Sequence, residues 1–440
     1  MTTAIPLFPH HAADQLVYQD QTRRVTRDTF AAMARAVAVQ LPAQHAILNL
    51  CEDRLFFMLG FCAALLRDCP TLLPGNRSAA GELELLAAVP QHFLLGDNPP
   101  RHAGAPHLRL DQMRFAACAD PALITLHEDA VVATLFTSGT TGAPQPHRKN
   151  WRMLATGAAL LRNALDIRGS VISSVPSQHM FGLESTVLLP MQAGLTVVGD
   201  CPLLPKDIQA TMERYAASAT QPLWWMTTPL HLRACAQSGL RFPALSGGML
   251  CATQTLSPEL ARAAEACFQT RLHEIYGCTE AGMVALRRPT LDAVWQLCAD
   301  LEMRQAQQQT WISGLRAGDA LPLNDDIEML PDRRFILRGR HLDLIKIGGK
   351  RVHIDALNHA LLSLPGVQDG AFFQAEEGGR LAAFVVMENF HRATLLDALR
   401  QRFDPVFLPR PLHHVVALPR NDVGKLPRAA LQMLMQQLSQ

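Results

Sequence analysis

The sequence has 440 residues, 48% of them hydrophobic, and its 40 lysines and arginines are balanced by 39 aspartates and glutamates, for a formal net charge of +1. A chain of this length exceeds the size at which one hydrophobic core keeps growing, which predicts two or more domains. The near-neutral balance gives no indication of nucleic acid or an anionic membrane surface as the main partner.

The cysteines and the apolar runs bear on the compartment. The ten cysteines show no C-x-x-C spacing and no pairing with histidine at metal-ligand spacing, which is typical of reduced core residues in the cytosol. The most apolar run, Leu55–Leu66, is too short to span a bilayer, and Met1–Gln15 lacks the pattern of a signal peptide. We therefore expect a cytoplasmic protein with no membrane insertion and no cleaved signal.

Helix and strand patterns alternate along the first part of the chain. Apolar residues at helical spacing predict helices over Arg24–Val39, Arg54–Leu66 and Ala80–Ala88. Short apolar runs predict strands over Ala46–Leu50, Pro70–Leu73 and His92–Leu95. This alternation is typical of a layered α/β domain.

The next strand pattern, Val131–Phe136, leads directly into a segment without one bulky side chain: Thr137, Ser138, Gly139, Thr140, Thr141 and Gly142. Glycines let backbone N–H groups approach a polyphosphate closely, and hydroxyls donate further hydrogen bonds to its oxygens. The spacing is neither that of a Walker A loop nor that of a dinucleotide-binding glycine loop. On composition alone, a phosphate loop and a polar surface turn are both open.

The alternation continues after this loop. Helices are predicted over Trp151–Leu165 and Phe181–Met191, and strands over Ser170–Val175, Leu195–Val198, Trp224–Thr227, Ala244–Leu250 and Leu272–Ile275. The sequence has no internal repeat and no low-complexity tract.

Three further motifs follow: YGCTEAG at 276–282, GRHLDLIKIGGKRV at 339–352 and NDVGKLPR at 421–428. A carboxylate beside bound phosphates makes sense if Glu280 holds Mg²⁺, because a bare glutamate would repel them. The alternative for the first motif is a helix start with Thr279 as the N-cap. Each of the other two is, by itself, a basic turn of the kind that usually faces solvent.

Taken together and in this order, the four motifs resemble those of the adenylate-forming superfamily, which includes acyl-CoA synthetases, aryl-acid ligases, nonribosomal adenylation domains and luciferases. More narrowly, TSGTTGAPQPHRK is similar to the loop in AMP-ligases of aryl-polyene and xanthomonadin-type pigment clusters. The resemblance implies an α/β fold with two domains. A large N-terminal domain of β-sheets flanked by helices would cover residues 1–340, and a small α+β lid would cover residues 341–440.

The resemblance also implies an ATP- and Mg²⁺-dependent first step, in which a carboxylate attacks the α-phosphorus and expels pyrophosphate. Residues 137–142 would cradle the β- and γ-phosphates. Thr279 would contact the α-phosphate, and Glu280 would hold Mg²⁺. The residues expected around the nucleoside are Tyr276, Gly277, Gly247, Gly248, Asp325 with Asp326 as its near alternative, and Arg340.

The lid is expected to serve both steps. Lys425 would stabilise the negative charge that develops between carboxylate and phosphate. In the second step, the phosphopantetheine thiol of CoA or of an acyl carrier protein attacks the mixed anhydride. In the family the lid rotates about a hinge, here near His341–Leu342, which withdraws the lysine and brings up a thiol tunnel. The tunnel residues implied here are Lys346, Gly348 and Gly349.

The chain departs from the family pattern at several points. The phosphate loop usually continues Pro-Lys-Gly, but this one reads Pro144-Gln145-Pro146, so its lysine is missing. Either Arg148 or Lys149 supplies the positive charge, or the γ-phosphate is bound less tightly. Leu342 stands where the hinge commonly has Asp or Lys, and the ribose motif lacks its usual Thr-Gly. Neither Glu280 nor Lys425 is lost, which makes an inactive relative the less favoured alternative.

The acid substrate is indicated by a short list of bulky residues. The segment PSQHMFG at 176–182 resembles the family segment that walls the acyl pocket, and the candidates for the wall are His179, Phe181, Trp224, Trp225, Met226, Met249 and Cys251. The structural alternatives are a satisfied core histidine and ordinary tryptophan packing. If these residues line the pocket, it suits a flat aromatic or a short-to-medium acyl group. Only Glu184 follows the histidine as an acid, which disfavours an amino-acid substrate.

The function expected from the sequence is therefore an ATP-dependent carboxylic acid ligase. It would adenylate an aromatic acid, such as a hydroxybenzoate or a cinnamate-like compound, and load it onto the thiol of an acyl carrier protein. The first alternative is a CoA ligase for aryl or fatty acids. The alternative from another class is a noncatalytic nucleotide-binding scaffold. Arg338, Lys350 and Arg351 could serve either acceptor, because both CoA and carrier proteins are anionic.

Overall fold

The computed structural model describes residues 4–74, 78–102, 104–115, 124–138, 144–216, 221–307, 309–340, 344–347, 350–375, 379–421 and 424–439. The helices in these ranges are α1 (Arg27–Gln40), α2 (Arg54–Leu66), α3 (Ala79–Ala88), α4 (Trp151–Leu165), α5 (Met180–Leu183), α6 (Leu189–Ala193), α7 (Pro205–Ala216), α8 (Pro229–Gln237), α9 (Pro258–Phe268), α10 (Ile354–Leu362), α11 (Arg392–Arg400) and α12 (Arg428–Ser439).

The first strands are β1 (Ala4–Pro6), β2 (Leu16–Gln19), β3 (Arg24–Thr26), β4 (Ala46–Asn49), β5 (Thr71–Leu73), β6 (His92–Gly96), β7 (His107–Arg109), β8 (Thr125–His127), β9 (Val131–Ser138), β10 (Pro144–Asn150), β11 (Ser170–Ser173), β12 (Thr196–Val198), β13 (Leu223–Thr227) and β14 (Gly248–Cys251). The remaining strands are β15 (Leu272–Cys278), β16 (Gly282–Arg287), β17 (Val294–Leu297), β18 (Leu301–Ala306), β19 (Gln309–Gly314), β20 (Gly318–Leu323), β21 (Asp325–Leu330), β22 (Arg334–Arg340), β23 (Leu344–Ile347), β24 (Lys350–His353), β25 (Val367–Gln374), β26 (Leu381–Met387) and β27 (Leu412–His414).

A six-stranded sheet carries the segment that leads into the phosphate loop. Its order is β10-β9-β5-β4-β6-β7, and all neighbours are parallel except the β9–β10 hairpin. The helix that follows β4, α2, begins at Asp53, whose side chain accepts a hydrogen bond from the backbone N–H of Phe56. Nearly every residue of α2 is buried, which explains why its sequence is apolar on all sides.

An eleven-stranded sheet forms the centre of the molecule, in the order β21-β22-β17-β16-β15-β14-β13-β11-β12-β2-β3. The strands from β15 to β2 run parallel, whereas the two ends of the sheet are antiparallel. In the parallel part both faces are covered, so β13 (LWWMT) is buried at every position. The carboxyl ends of these parallel strands lie along one edge, which is where such sheets bind ligands.

The C-terminal part is smaller and contains both helices and strands. The strands β25, β26 and β27 form one sheet, and β23 pairs with β24 in a separate hairpin. Two buried clusters draw only on residues from Ile345 onwards, and one of them includes Leu361, Phe372 and Val385. The molecule is thus a mixed α/β protein with large sheets flanked by helices and a smaller C-terminal α+β part, as the sequence predicts.

Most predicted elements are present, with local differences. The predicted helix over Arg24–Val39 begins only at Arg27, because Arg24–Thr26 pair as β3 and Thr26 caps the helix. The predicted helix over Phe181–Met191 is divided into α5 and α6 by a π-helical turn, Glu184–Leu188. Such turns are frequent at functional sites. Within the described ranges, no helix is both long enough and apolar enough to cross a membrane.

Candidate active site

Some of the predicted site residues lie where a hairpin of the six-stranded sheet contacts a turn of the central sheet. In the β9–β10 hairpin, the pair nearest the phosphate loop is Ser138 with Pro144. The loop residues Gly139, Thr140, Thr141 and Gly142 lie outside the described residues, and Thr137 and Ser138 are described by their backbone alone. The hairpin approaches the turn that follows β15, which carries Thr279 and Glu280.

Two side chains of β10 reach that turn. The amine of Lys149 donates a hydrogen bond to the backbone carbonyl of Glu280. The imidazole Nε2 of His147 lies 3.7 Å from Oε1 of Glu280. Arg148, between them, is exposed on the other face of the strand. The two basic candidates for the missing loop lysine therefore differ in placement, because Lys149 points into the protein and Arg148 points to solvent.

Burial shapes the electrostatics beneath the turn. Lys149 is only 3% exposed, and desolvation lowers the pKa of its amine, against the attraction of the Glu184 carboxylate. Glu184 is buried on the π-helical turn, and desolvation raises the pKa of its carboxyl group, against the attraction of Arg316. Because Glu184 is buried beside two cations and its pKa is raised, it is poorly suited to receive the ammonium group of an amino-acid substrate.

The residues predicted for the nucleoside lie partly together. The hydroxyl of Tyr276 donates to Oδ2 of Asp325 at 2.5 Å, and the Tyr276 ring contacts the rings of Trp295 and Phe335. Asp325 pairs across the β21–β22 ladder with Arg340, whose side chain lies outside the description. Tyr276, Asp325 and the backbone of Arg340 thus share one edge of the central sheet. The alternative carboxylate, Asp326, is exposed and pairs with Gly339 on the same ladder.

Gly247 and Gly248 are not brought to that edge. They precede and begin β14, at its amino end, where the ring of Trp224 covers them. A Cβ atom on Gly248 would lie 2.7 Å from Cζ3 of Trp224, so glycine is required here for packing. Tyr276 lies beyond the opposite end of β14, because β14 and β15 are parallel with Cys251 paired to Glu274. From the carboxyl end of β14, the end nearer Tyr276, the chain continues through Ala252, Thr253 and Gln254.

Lys425 is held in a compact loop close to the carboxyl end of β14. The backbone N–H of Lys425 donates to Oδ1 of Asn421 at 2.8 Å, and its carbonyl accepts from the Asn421 N–H at 2.9 Å. The preceding Gly424 has φ +75° and lies against Gln254, whose amide nitrogen would be 2.4 Å from a Cβ atom there. The structure therefore brings the carboxyl end of β14 and the Lys425 loop together.

His179 lies within electrostatic reach of the same lysine. Desolvation, and then the positive charge of Lys425, lower the pKa of His179 to about 3, so the imidazole is neutral at physiological pH. Its Nδ1 accepts a hydrogen bond from the backbone N–H of Phe181 at 3.2 Å and so caps α5. The wall residue and the lysine, 246 positions apart in the numbering, thus face one region of the fold.

The other acid-pocket candidates are divided between the two faces of the central sheet, because side chains alternate along a strand. Phe181 packs in the cluster that contains Trp224, Met226 and Leu250. Trp225, Met249 and Cys251 pack instead on the opposite face, against the helix-covered core that includes Phe268. The indole N–H of Trp225 donates to Ser174 there at 3.0 Å. The structure does not bring these three residues to Phe181.

Two remaining predictions concern the thiol tunnel and the metal. Lys346 lies on β23 opposite Arg351, and Gly348 and Gly349 lie outside the described residues. Among the residues described, no group of three or more His, Cys, Asp or Glu side chains could form a protein-only metal cage. A Mg²⁺ ion normally takes one or two carboxylates together with substrate phosphates and waters, so the partly exposed Glu280 carboxylate alone fits this ion.

Comparison with known proteins assigns the family. The family described as "AMP-binding enzyme" matches residues 14–307. The chain belongs to this family. It is 30% identical to a 4-coumarate–CoA ligase of Halorhodospira halophila over 67% of this chain and 74% of that protein. It is 22% identical to a 3,4-dihydroxybenzoate–[aryl-carrier protein] ligase of Bacillus anthracis, over 68% of this chain and 73% of that protein.

The fold agrees with this assignment. The o-succinylbenzoate CoA synthetase of Bacillus subtilis, solved in complex with ATP and magnesium ion, superposes with a TM-score of 0.82 at 18% identity, covering 98% of this chain and 100% of that one. By its family and its similarity to these ligases, the protein is an adenylate-forming acid–thiol ligase that uses ATP, as the motifs predict.

Sequence reasoning did not foresee several contacts and conformations that the structure shows. Lys149 was one of two candidates for a phosphate contact, but its amine binds a backbone carbonyl. Thr253 has φ +86°, which a sequence pattern does not reveal. Gln254 and the ion pair between Arg420 and Asp369 are tertiary contacts between distant segments.

Proposed function

We propose that this ligase activates an aromatic carboxylic acid and transfers the acyl group to the phosphopantetheine thiol of an acyl carrier protein. The observation that carries the proposal is the approach of the Lys425 loop to His179 and to Gln254, which follows β14 beside the strand that carries Tyr276. The names of the similar 4-coumarate and 3,4-dihydroxybenzoate ligases support an aromatic acid.

In the first step, a carboxylate oxygen of the acid would attack the α-phosphorus of ATP. The bond between the α-phosphorus and its bridging oxygen breaks, and pyrophosphate leaves. The 137–142 loop would hold the departing phosphates, and Thr279 would orient the α-phosphate. Mg²⁺ held by Glu280 would neutralise phosphate charge, so that two anions can approach. The ammonium group of Lys425 would stabilise the charge on the oxygens around phosphorus.

In the second step, the thiolate sulfur would attack the acyl carbon, the bond to the AMP oxygen breaks, and AMP leaves. We infer that the lid begins near residue 341 and turns about this point, which would exchange Lys425 for the Lys346–Gly349 segment. The separate buried cores from Ile345 onwards support a lid that moves as a unit. A cytoplasmic location, where ATP and holo-carrier proteins occur, accords with this chemistry.

The acid pocket proposed here differs in part from the wall expected from the sequence. Phe181, Trp224, Met226 and Leu250 share one apolar cluster on the face of the sheet that also includes Ile275. This cluster includes Phe181, two residues after His179, and would offer flat and aliphatic surface to an aryl ring. Trp225, Met249 and Cys251 would act only by supporting the strands from behind.

The choice of a carrier protein is supported by the similarity to the 3,4-dihydroxybenzoate–[aryl-carrier protein] ligase. CoA carries a 3′-phosphate and usually needs an unpaired basic patch. Two candidate residues are engaged with carboxylates, since Arg338 pairs with Glu328 and Lys350 pairs with Asp404. The side chain of Arg351 lies outside the description. Such pairing lowers the positive potential towards CoA and towards an acidic carrier alike.

The test is the acid-dependent exchange of labelled pyrophosphate into ATP over a panel of aromatic, aliphatic and amino acids. We expect the highest exchange with hydroxybenzoate- or cinnamate-like acids. Exchange with none of the panel would favour the noncatalytic scaffold, and exchange confined to aliphatic acids would exclude the aromatic assignment.

The acceptor is then tested with holo-carrier protein, CoA and 3′-dephospho-CoA. A carrier-protein ligase should load the carrier with a far higher kcat/KM than either small thiol and should distinguish poorly between the two. A CoA ligase, the second candidate, should instead prefer CoA over the carrier and lose activity with 3′-dephospho-CoA. The several similar proteins named as CoA ligases make this second outcome a real alternative.

A further inference from the structure

One face of β10 is directed at the turn that carries Thr279 and Glu280. His147 and Lys149 are two positions apart, so they share a face of the strand, and both contact Glu280. Lys149 holds the backbone carbonyl, and His147 lies beside the carboxylate. The strand pairs with β9, with Lys149 opposite Ala133, and β9 leads directly into the phosphate loop. The hairpin that bears the phosphate loop is therefore linked to the turn that bears the proposed metal carboxylate.

The far side of the same turn is held by a second buried cation. Arg316 is 2% exposed and donates to the carbonyls of Ala281, at 3.0 Å, and Met283, at 2.5 Å. Asp300 holds the guanidinium of Arg316 through two bonds of 2.8 Å. Glu184 accepts from the backbone N–H of Met283 at 3.4 Å. These contacts fix the turn to the central sheet, whereas Lys149 fixes it to the other large sheet.

We propose that Lys149 is a positioning residue that sets the distance between the phosphate loop and the Thr279–Glu280 turn. This proposal rests on the proposed function, since it assigns both segments to ATP. Burying an ammonium group is costly, and a methionine would fill the same space without that cost. The charge of a buried amine is useful where its charge-assisted hydrogen bond holds another group in one place. The amine would thus act on ATP through Glu280 and not by contact with the phosphates.

The proposal predicts a selective defect. AMP has the α-phosphate and the nucleoside but neither the β- nor the γ-phosphate, so its binding does not depend on the distance between the phosphate loop and the Glu280 carboxylate. The binding of ATP with Mg²⁺ depends on that distance, because it uses both groups. A loss of general stability would weaken the binding of both nucleotides in the folded protein equally or not at all. A change in that distance would weaken the binding of ATP with Mg²⁺ alone.

The experiment is calorimetric titration of the full-length protein with ATP and Mg²⁺, and separately with AMP. The variants are Lys149→Met, Lys149→Arg and Arg148→Met, and the matched control is Lys206→Met, which changes an exposed lysine on α7. For Lys149→Met we expect the Kd for ATP with Mg²⁺ to rise by about tenfold or more, since a charge-assisted hydrogen bond is lost. Its Kd for AMP should change by less than about twofold. Lys149→Arg should recover part of the loss.

Equal weakening of ATP and AMP in Lys149→Met, or no weakening of either, would overturn the proposal. A selective loss in Arg148→Met with none in Lys149→Met would also overturn it, because the exposed arginine would then be the phosphate contact. If Lys149→Met does not fold, the double variant Lys149→Met/Glu184→Gln removes both members of the buried pair, and the same selective loss is expected. Failure of the proposed function is seen separately, as absence of pyrophosphate exchange in the unchanged protein.

Discussion

Arg420 and Asp369 form a doubly bonded ion pair across the C-terminal part, with Nε and Nη2 of the arginine each 2.7 Å from a carboxylate oxygen. The third nitrogen, Nη1, donates to the carbonyl of Gly424 at 2.8 Å, one residue before Lys425. Asn421 completes the loop by two bonds to the backbone of Lys425. The pair thus connects β25 to the loop that carries Lys425. Together these contacts fix the orientation of the Lys425 backbone.

Asp369→Asn should loosen this loop, because an amide cannot accept both guanidinium bonds. We expect pyrophosphate exchange to fall by about tenfold, in line with the loss of orientation of a charged group. Transfer from supplied acyl-adenylate to the thiol should stay within about twofold, since Lys425 would not act in that step. Asp397→Asn, which removes an exposed pair with Arg400 on α11, is the control.

Lys425→Ala removes the proposed charge stabiliser itself. Adenylation should fall by about a hundredfold or more, the usual cost of losing a preorganised electrostatic group. Thioester formation from supplied acyl-adenylate should be largely retained. Single-turnover assays of the two half-reactions separate these effects. Equal loss in both half-reactions would contradict a lid that presents the lysine in the first step only.

Glu280→Gln keeps the shape of the side chain and removes its charge. We expect the Mg²⁺ concentration for half-maximal exchange to rise by about tenfold, because a neutral amide is a weak ligand for a hard cation. The measurement is a Mg²⁺ titration at fixed ATP. Glu259→Gln, on an exposed ion pair of α9, provides the comparison. An unchanged metal requirement would remove Glu280 from this role.

Gly248→Ala tests where the double glycine acts. The added Cβ would strike the Trp224 ring, and overpacking of this kind destabilises a protein by about 1–3 kcal/mol. Thermal unfolding should therefore show a lower Tm, while AMP binding by the folded protein is retained. In Gly96→Ala the nearest atom is at an ordinary 3.6 Å, so its Tm should change little. A normal Tm together with weaker AMP binding would instead indicate that the two glycines line the nucleotide site.

Buried histidines predict loss of stability in acid. Desolvation lowers the pKa of His231 from 6.5 to about 4, and His11 and His273 are shifted similarly. Between those two values the unfolded chain binds a proton that the folded chain does not, so stability rises with pH and is lost as pH falls from 6.5 towards 4. His231→Gln should reduce this slope by up to about one proton, as measured by denaturant unfolding at several pH values. An unchanged slope would show that His231 is protonated in the fold.

The sequence by itself determined the family and the layered α/β class, and it supplied the candidate site residues. These features are local: a glycine- and hydroxyl-rich loop after a strand, a carboxylate beside a glycine turn and a lysine near the end of the chain are visible in short segments. Local hydrogen bonding and periodicity also set the main helices, as the capped start of α2 at Asp53 illustrates.

Only the tertiary structure decided which side of a strand each of two adjacent residues faces. Trp224 and Trp225 lie on opposite faces of β13 because side chains alternate along a strand, and a run buried on both faces has no polar residue to mark the direction. Lys149 and Arg148 differ in the same way on β10. The partner of Lys149 lies 131 positions further along the chain, so no local pattern could reveal that its amine holds the Glu280 turn.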